Sequence, residues 1–114
     1  MQLLGTYKSA TFGTVRVLRG HYENATGPLA IALEMEDGEP LAVLSVNMYR
    51  PQCSHDSRAL PPGCFYVKGY SENAPLIPEL LASGLFKERP DLPEASSGFI
   101  TAPAWEIAEP RLAG

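Results

Sequence analysis

One stretch decides the fold of this chain: residues 36–47, which read EDGEPLAVLSVN. Asp37-Gly38 separates two alternating runs, and this pair is typical of a β-hairpin whose type I′ turn needs positive φ at both central residues. The preceding run, residues 29–35, places its large apolar residues on one face and predicts a strand. Residues 40–48 are apolar on both faces, so we expect this second strand to lie centrally in a sheet.

A second stretch, YVKGYSEN at residues 66–73, predicts a strand that stops at a polar cluster and leads into a helix. We expect the strand over residues 64–68 and the helix over residues 76–85, where apolar residues recur at helical spacing. Asn73 is the predicted N-cap of this helix, and Gly84 is its predicted C-terminal stop.

The remaining chain predicts short strands and long connections. Further strands are expected at three places: residues 3–10, 12–19 and 99–107. Pro103 favours an edge position for the last of these strands, because proline has no N–H to donate to a neighbouring strand. Residues 49–63 hold several prolines and polar side chains, which predict a long, exposed and mobile loop, and residues 86–98 predict a second connection.

These elements predict a single α+β domain over residues 1–108, followed by a frayed tail at residues 109–114. Its architecture is expected to be a mainly antiparallel, twisted sheet of five or six strands with one helix packed on one face. The other face needs a cover. Either the two long connections supply it, or a second copy of the chain does so in a homodimer.

The composition favours a folded domain that does not bind nucleic acid directly. Of the 114 residues, 45% are hydrophobic and 19% are charged. The charged fraction is somewhat below that of a typical soluble domain, and this composition favours a folded chain over a disordered one. The formal net charge of −4 disfavours a broad basic face for phosphates. Because no apolar run approaches the roughly 18 residues of a membrane span and no signal segment precedes the first strand, we expect a cytoplasmic protein without membrane contact.

The polar cluster after the fourth clear strand has two interpretations. Its members are Lys68, Tyr70, Ser71, Glu72 and Asn73. In the first interpretation, Ser71 and Asn73 cap the helix start and Glu72 complements the helix dipole. In the second, all five residues are candidates for an exposed surface that binds a partner, and Lys68, Tyr70 and Glu72 are its main members.

The predicted hairpin carries an acidic tip formed by Glu34, Glu36, Asp37 and Glu39. These carboxylates are most simply solvated groups that keep the turn soluble. A row of carboxylates can also imitate the phosphates of DNA and occupy a basic channel of a nuclease complex, so an inhibitory function stays open.

Cys53, His55 and Cys64 are weak candidates for a metal site or a reactive thiol. Zinc sites usually contain closely spaced cysteine pairs, which this pattern lacks. A catalytic cysteine needs an electropositive, partly buried setting, and the sequence shows no sign of one. The alternative is a loop cysteine and a strand cysteine that packs as a small hydrophobe.

Four segments in this order resemble those of a known protein family. They are GPLAIAL at residues 27–33, EDGEPLAVLSVN at 36–47, VKGYSEN at 67–73 and SGF at 97–99. The chain thereby resembles a bacterial family of unknown function whose small members are carried on plasmids and integrative conjugative elements. The resemblance implies an accessory protein that modulates host defence or element maintenance. The chain departs from the family at residues 49–62, where its loop is longer.

The expected function is therefore a non-enzymatic module that binds another protein. No nucleotide-binding, metalloprotease or nucleophile-elbow motif occurs, so we expect neither catalysis nor a cofactor. One alternative is an anti-defence inhibitor, of the anti-CRISPR or anti-restriction kind, that binds a host nuclease complex. The other is a small metal-binding or ligand-binding protein.

Overall fold

The computed structural model describes residues 1–23, 27–49 and 52–108, and these hold ten strands, one α-helix and two 3-10 helices. The strands are β1 (Gln2–Ser9), β2 (Gly13–His21), β3 (Leu29–Met35), β4 (Pro40–Val43), β5 (Ser45–Val46), β6 (Cys64–Val67), β7 (Phe86–Glu88), β8 (Ala95–Ser97), β9 (Ile100–Ala102) and β10 (Ala104–Ile107). The helices are α1 (Ile77–Ala82) and the 3-10 turns Ser57–Ala59 and Ser71–Leu76. The predicted tail, residues 109–114, lies outside the described residues.

The strands form three antiparallel sheets and not the single sheet of five or six strands that we predicted. One sheet has the order β1-β2-β3-β4, a second has the order β5-β6-β10-β7, and β8 pairs with β9 in a separate hairpin. The broader prediction, a small α+β fold with mostly antiparallel strands and one helix, is confirmed. The count was wrong because two predicted strands are each broken in the middle and because the second connection contains β7 and β8.

The first break lies at Leu44, between β4 and β5. The Leu44 N–H donates to the carbonyl of Ile31 at 2.9 Å, and the Leu44 carbonyl accepts from the N–H of Lys68 at 2.7 Å. A single residue thereby bonds β3 on one side and the end of β6 on the other. The segment predicted as a central strand instead joins the two four-stranded sheets.

The second break lies at Pro103, between β9 and β10. The Pro103 carbonyl accepts from the N–H of Val67 at 2.9 Å, so the proline serves the sheet as an acceptor. β10 pairs with both β6 and β7, so the predicted edge position was wrong for this part of the segment.

The main core lies between the two four-stranded sheets and is closed by the helical segment. Leu76 and Leu80 bring that segment into the same apolar cluster as Val17, Ile31 and Trp105. The rings of Phe65 and Phe86 contact Trp105, with centroids at 6.4 and 5.8 Å. Among the described residues, no helix has the length and apolar character needed to cross a membrane.

The outer face of the second sheet is covered by the chain itself. Ser54 and Ser96 tie the predicted loop to β8, because the Ser54 N–H donates to the Ser96 carbonyl at 2.9 Å and the Ser54 Oγ accepts from the Ser96 N–H at 2.8 Å. Beneath them, Met48 and Tyr66 lie in a second apolar cluster against which Cys53 packs. The described part of the loop is therefore only partly exposed, in contrast to our prediction.

The β3–β4 hairpin forms as predicted, but with a different turn. Only Gly38 has positive φ (+93°), and its N–H donates to the Met35 carbonyl at 2.9 Å. The Met35 N–H donates to the Glu39 carbonyl at 2.7 Å. This pattern is a three-residue loop, a type I turn followed by a left-handed glycine, and not the two-residue type I′ turn.

Candidate functional site

The polar cluster lies where β6 ends and the helical segment begins. Glu72 accepts a hydrogen bond from Lys68 Nζ at 2.9 Å, and the same Nζ lies 5.8 Å from the centroid of the Tyr70 ring. Ser71 holds a left-handed backbone conformation (φ +60°), which turns the chain sharply between these side chains. Lys68, Tyr70 and Glu72 therefore form one interacting group on the surface.

The prediction that Asn73 caps the helix was wrong. Asn73 is buried, and its side chain joins two backbone segments by hydrogen bonds. It lies inside the 3-10 turn, and the N-cap of α1 is Leu76, whose side chain makes no capping bond. Asn73 is fully buried, and its side-chain amide donates to the carbonyls of Val43 at 2.8 Å and Lys68 at 2.9 Å. The binding-surface prediction was therefore wrong for Asn73, which fixes the cluster from below. Gly84 ends the helical region with φ +82°, as predicted.

The Lys68 ammonium group, through its hydrogen bond to the carboxylate, lowers the pKa of Glu72 from its ordinary 4.5 to about 2. A depressed carboxyl pKa contributes stability above the unfolded-state pKa, and the contribution is lost as pH falls through about 2. We expect Lys68→Met to raise the Glu72 pKa toward 4.5 in a carbon-13 NMR titration of the carboxyl group. The Ser71 side chain and the Glu72 backbone also lower this pKa, so its recovery should be incomplete. An unchanged titration would contradict the ion pair.

An apolar cleft of about 400 Å³ opens beside the cluster. Tyr70 contributes one wall, Ile77 and Pro78 of the helix contribute another, and Trp105 lies at the floor. Thr101 of β9 borders the cleft on the far side. One of the predicted binding residues, Tyr70, is therefore shared between a charged patch and an apolar depression.

Phe99 is an exposed anchor that sequence reasoning missed. It is 108% exposed at the tip of the β8–β9 hairpin, next to Ile100 at 39%. Gly98, with φ +61°, occupies the first central position of this two-residue turn, as a type II′ turn requires. Phe99 is two residues from Thr101, so its Cα lies within about 7 Å of that lining residue. The only signal in the sequence was Gly98, which indicates a turn. It does not indicate that the Phe99 side chain is exposed.

The acidic tip is smaller than predicted. Glu34 lies within β3 and forms an ion pair with Arg16 of β2, so its charge is compensated. Asp37 accepts from the N–H of Glu39 at 3.0 Å, which stabilises the turn. Glu36, Asp37 and Glu39 remain as exposed carboxylates at the turn itself.

Cys53, His55 and Cys64 each contact a different group. Cys53 Sγ lies 3.7 Å from Met48 Sδ, His55 Nδ1 lies 3.0 Å from Ser54 Oγ, and Cys64 Sγ lies 3.7 Å from a guanidinium nitrogen of Arg89. Within residues 1–23, 27–49 and 52–108, no three His, Cys, Asp or Glu side chains are grouped so that they could hold a metal ion.

The two thiols should differ in reactivity. Burial, followed by the nearby Glu106 carboxylate, raises the pKa of Cys64, and the thiolate is the reactive form. Cys53 is only partly buried. We expect iodoacetamide to alkylate Cys53 at least about tenfold faster than Cys64 in the folded protein, with the difference lost in denaturant, as read by peptide mass spectrometry. Equal rates in the folded state would contradict this assignment.

Comparison of the chain with models of protein families, with curated proteins and with solved structures found no match.

Proposed function

We propose that this protein is a non-enzymatic module that binds another protein. Its contact surface is the binding face, defined as Lys68, Tyr70 and Glu72, the adjoining cleft and the Phe99 tip. The observation that carries the proposal is the full exposure of Phe99 beside this cleft. A large aromatic side chain held in water by a defined turn is the kind of group that anchors protein interfaces.

The charged part of the binding face supports specificity. Lys68 and Glu72 are solvent-accessible, with side-chain exposures of 28% and 58%, and are already oriented by their mutual ion pair. A preorganised pair loses little side-chain entropy on binding. The buried Asn73 amide holds the backbone beneath them, so the surface is rigid at its base.

The test is affinity capture from the host lysate with the wild type and with the triple variant Lys68→Ala, Tyr70→Ala, Glu72→Ala, read by mass spectrometry. The matched control is a second triple variant, Glu36→Ala, Asp37→Ala and Glu39→Ala, which alters a different surface whose three side chains are exposed. We expect a specific partner that the wild type and the control retain and the first variant loses, while both variants remain folded, as shown by cooperative melting.

Loss of the partner in the acidic-turn variant alone would overturn the proposed surface. It would instead favour an anti-defence inhibitor that uses Glu36, Asp37 and Glu39 as a phosphate mimic. Failure of the wild type to retain any specific partner would contradict the binding-module proposal and favour a small ligand.

A further inference from the structure

The cleft beside Tyr70 continues into a second one. The second cleft, of about 340 Å³, contains Pro90, Leu92 and Pro93 in its wall. The two clefts share Glu88, Pro103 and Trp105, so they meet along β7 and β10. Glu88 lines both clefts, so the two apolar depressions adjoin at this residue, and the pair of clefts is called the groove below.

The charges around this groove are unbalanced. Arg89 lines the groove and is paired with Asp91 at 2.7 Å. Lys68 and Lys87 are next in sequence to lining residues, and they are paired with Glu72 at 2.9 Å and with Glu106 at 3.3 Å. Glu88 and Glu94 also line the groove and are exposed, and they form no ion pair with any residue the structure describes. The groove therefore presents uncompensated negative charge, which attracts a cationic ligand.

We infer that this groove binds an extended peptide segment of the partner, in which an arginine or lysine is flanked by bulky apolar side chains. The cation meets Glu88, and the flanking side chains fill the two depressions. This inference rests on the proposed binding function and specifies the chemistry of the partner. An extended peptide can place one side chain in each of the two clefts, whereas a single apolar side chain would fill only one of them.

Trp105 supplies the readout, because it is the only tryptophan and lines both clefts. Three synthetic peptides of equal length are titrated to millimolar concentration while the indole N–H resonance is followed by NMR. The first has a central arginine between leucine and phenylalanine, the second replaces that arginine by glutamate, and the third replaces both apolar residues by serine. We expect saturable shifts with the first peptide only, with an affinity that falls as salt increases.

Charge reversal at the shared residue is the decisive variant. Glu88→Lys should weaken the binding of the arginine peptide by about tenfold or more, so that the glutamate peptide binds more tightly. Glu36→Lys makes the same charge change on the hairpin turn and should leave the order of the peptide affinities unchanged. Glu88 is exposed and outside the core, and an unchanged melting temperature checks that the variant is folded. The milder Glu88→Gln variant should no longer prefer the arginine peptide over the glutamate peptide, but it should not reverse that preference.

Two results would overturn the inference. One is the absence of any indole shift with all three peptides, and the other is a preference for arginine that persists in Glu88→Lys. If a partner is captured in a way that depends on Lys68, Tyr70 and Glu72, either result would contradict the proposed peptide ligand. The proposal that the protein is a binding module would still stand. Equal binding of the serine-flanked peptide would contradict the apolar depressions as contact sites.

Discussion

Replacing Asn73 by aspartate is expected to lower the free energy of unfolding by about 3–5 kcal/mol at neutral pH, although the side chains have nearly the same shape. The amide donates to the carbonyls of Val43 and Lys68, and a carboxylate has no hydrogen to donate to either. The substitution therefore removes two hydrogen bonds and buries a charge. It also places a carboxylate next to two carbonyl oxygens, which repel it. Denaturant unfolding measures the loss.

The pH dependence separates the buried charge from the lost hydrogen bonds. Burial favours the neutral carboxyl, so the pKa of the new aspartate is raised in the folded state. The contribution of the neutral carboxyl group to the free energy of unfolding is then fully present below the unfolded-state pKa of about 3.9. It is lost as pH rises through the folded-state pKa. The variant should approach the wild type at low pH. Asn73→Ala should lose about 2–3 kcal/mol at every pH, because no new charge is buried. A pH-independent difference between Asn73→Asp and the wild type would contradict this account.

Replacing Trp105 by alanine is expected to cost about 3–5 kcal/mol. The indole is 2% exposed and packs against the rings of Phe65 and Phe86, which also contact each other. Its strand pairs with β6 on one side and with β7 on the other. Its removal leaves a cavity where the sheet and the helical segment meet. Since small domains are stable by only about 5–15 kcal/mol, this change should leave the protein close to unfolding at 37 °C.

Trp105→Phe provides the graded control, because it keeps an aromatic ring at the same site and should cost clearly less than Trp105→Ala. Calorimetric melting compares the two variants with the wild type. A loss below about 1 kcal/mol for Trp105→Ala would contradict the central place of this side chain in the core.

Local patterns predicted those elements whose partners are close in sequence. The β3–β4 hairpin follows from alternation on both sides of Asp37-Gly38, and only its turn type was wrong, because Asp37 does not take positive φ. Strands β1, β2 and β3 were also placed within a few residues, since each pairs with its neighbour along the chain. Alternation and turn chemistry are sufficient at this range.

Long-range pairing accounts for the errors. Leu44 divides its hydrogen bonds between Ile31 and Lys68, and no local rule distinguishes such a residue from one inside a continuous strand. Asn73 fits the residue preference of a helix cap, but its amide bonds carbonyls as far away as Val43. Phe99 is the residue type usually found in a core, so its exposure depends on tertiary structure that the sequence pattern does not contain.

The matched pair Phe99→Ser and Phe12→Ser tests most directly whether the binding face is a contact surface. Both phenylalanines stand at hairpin turns, with exposures of 108% and 36%, but only Phe99 lies beside the cleft. With the captured partner, calorimetry should give an affinity about tenfold or more lower for Phe99→Ser, the wild-type affinity for Phe12→Ser, and similar melting temperatures for both. Wild-type affinity for Phe99→Ser would contradict the proposed surface.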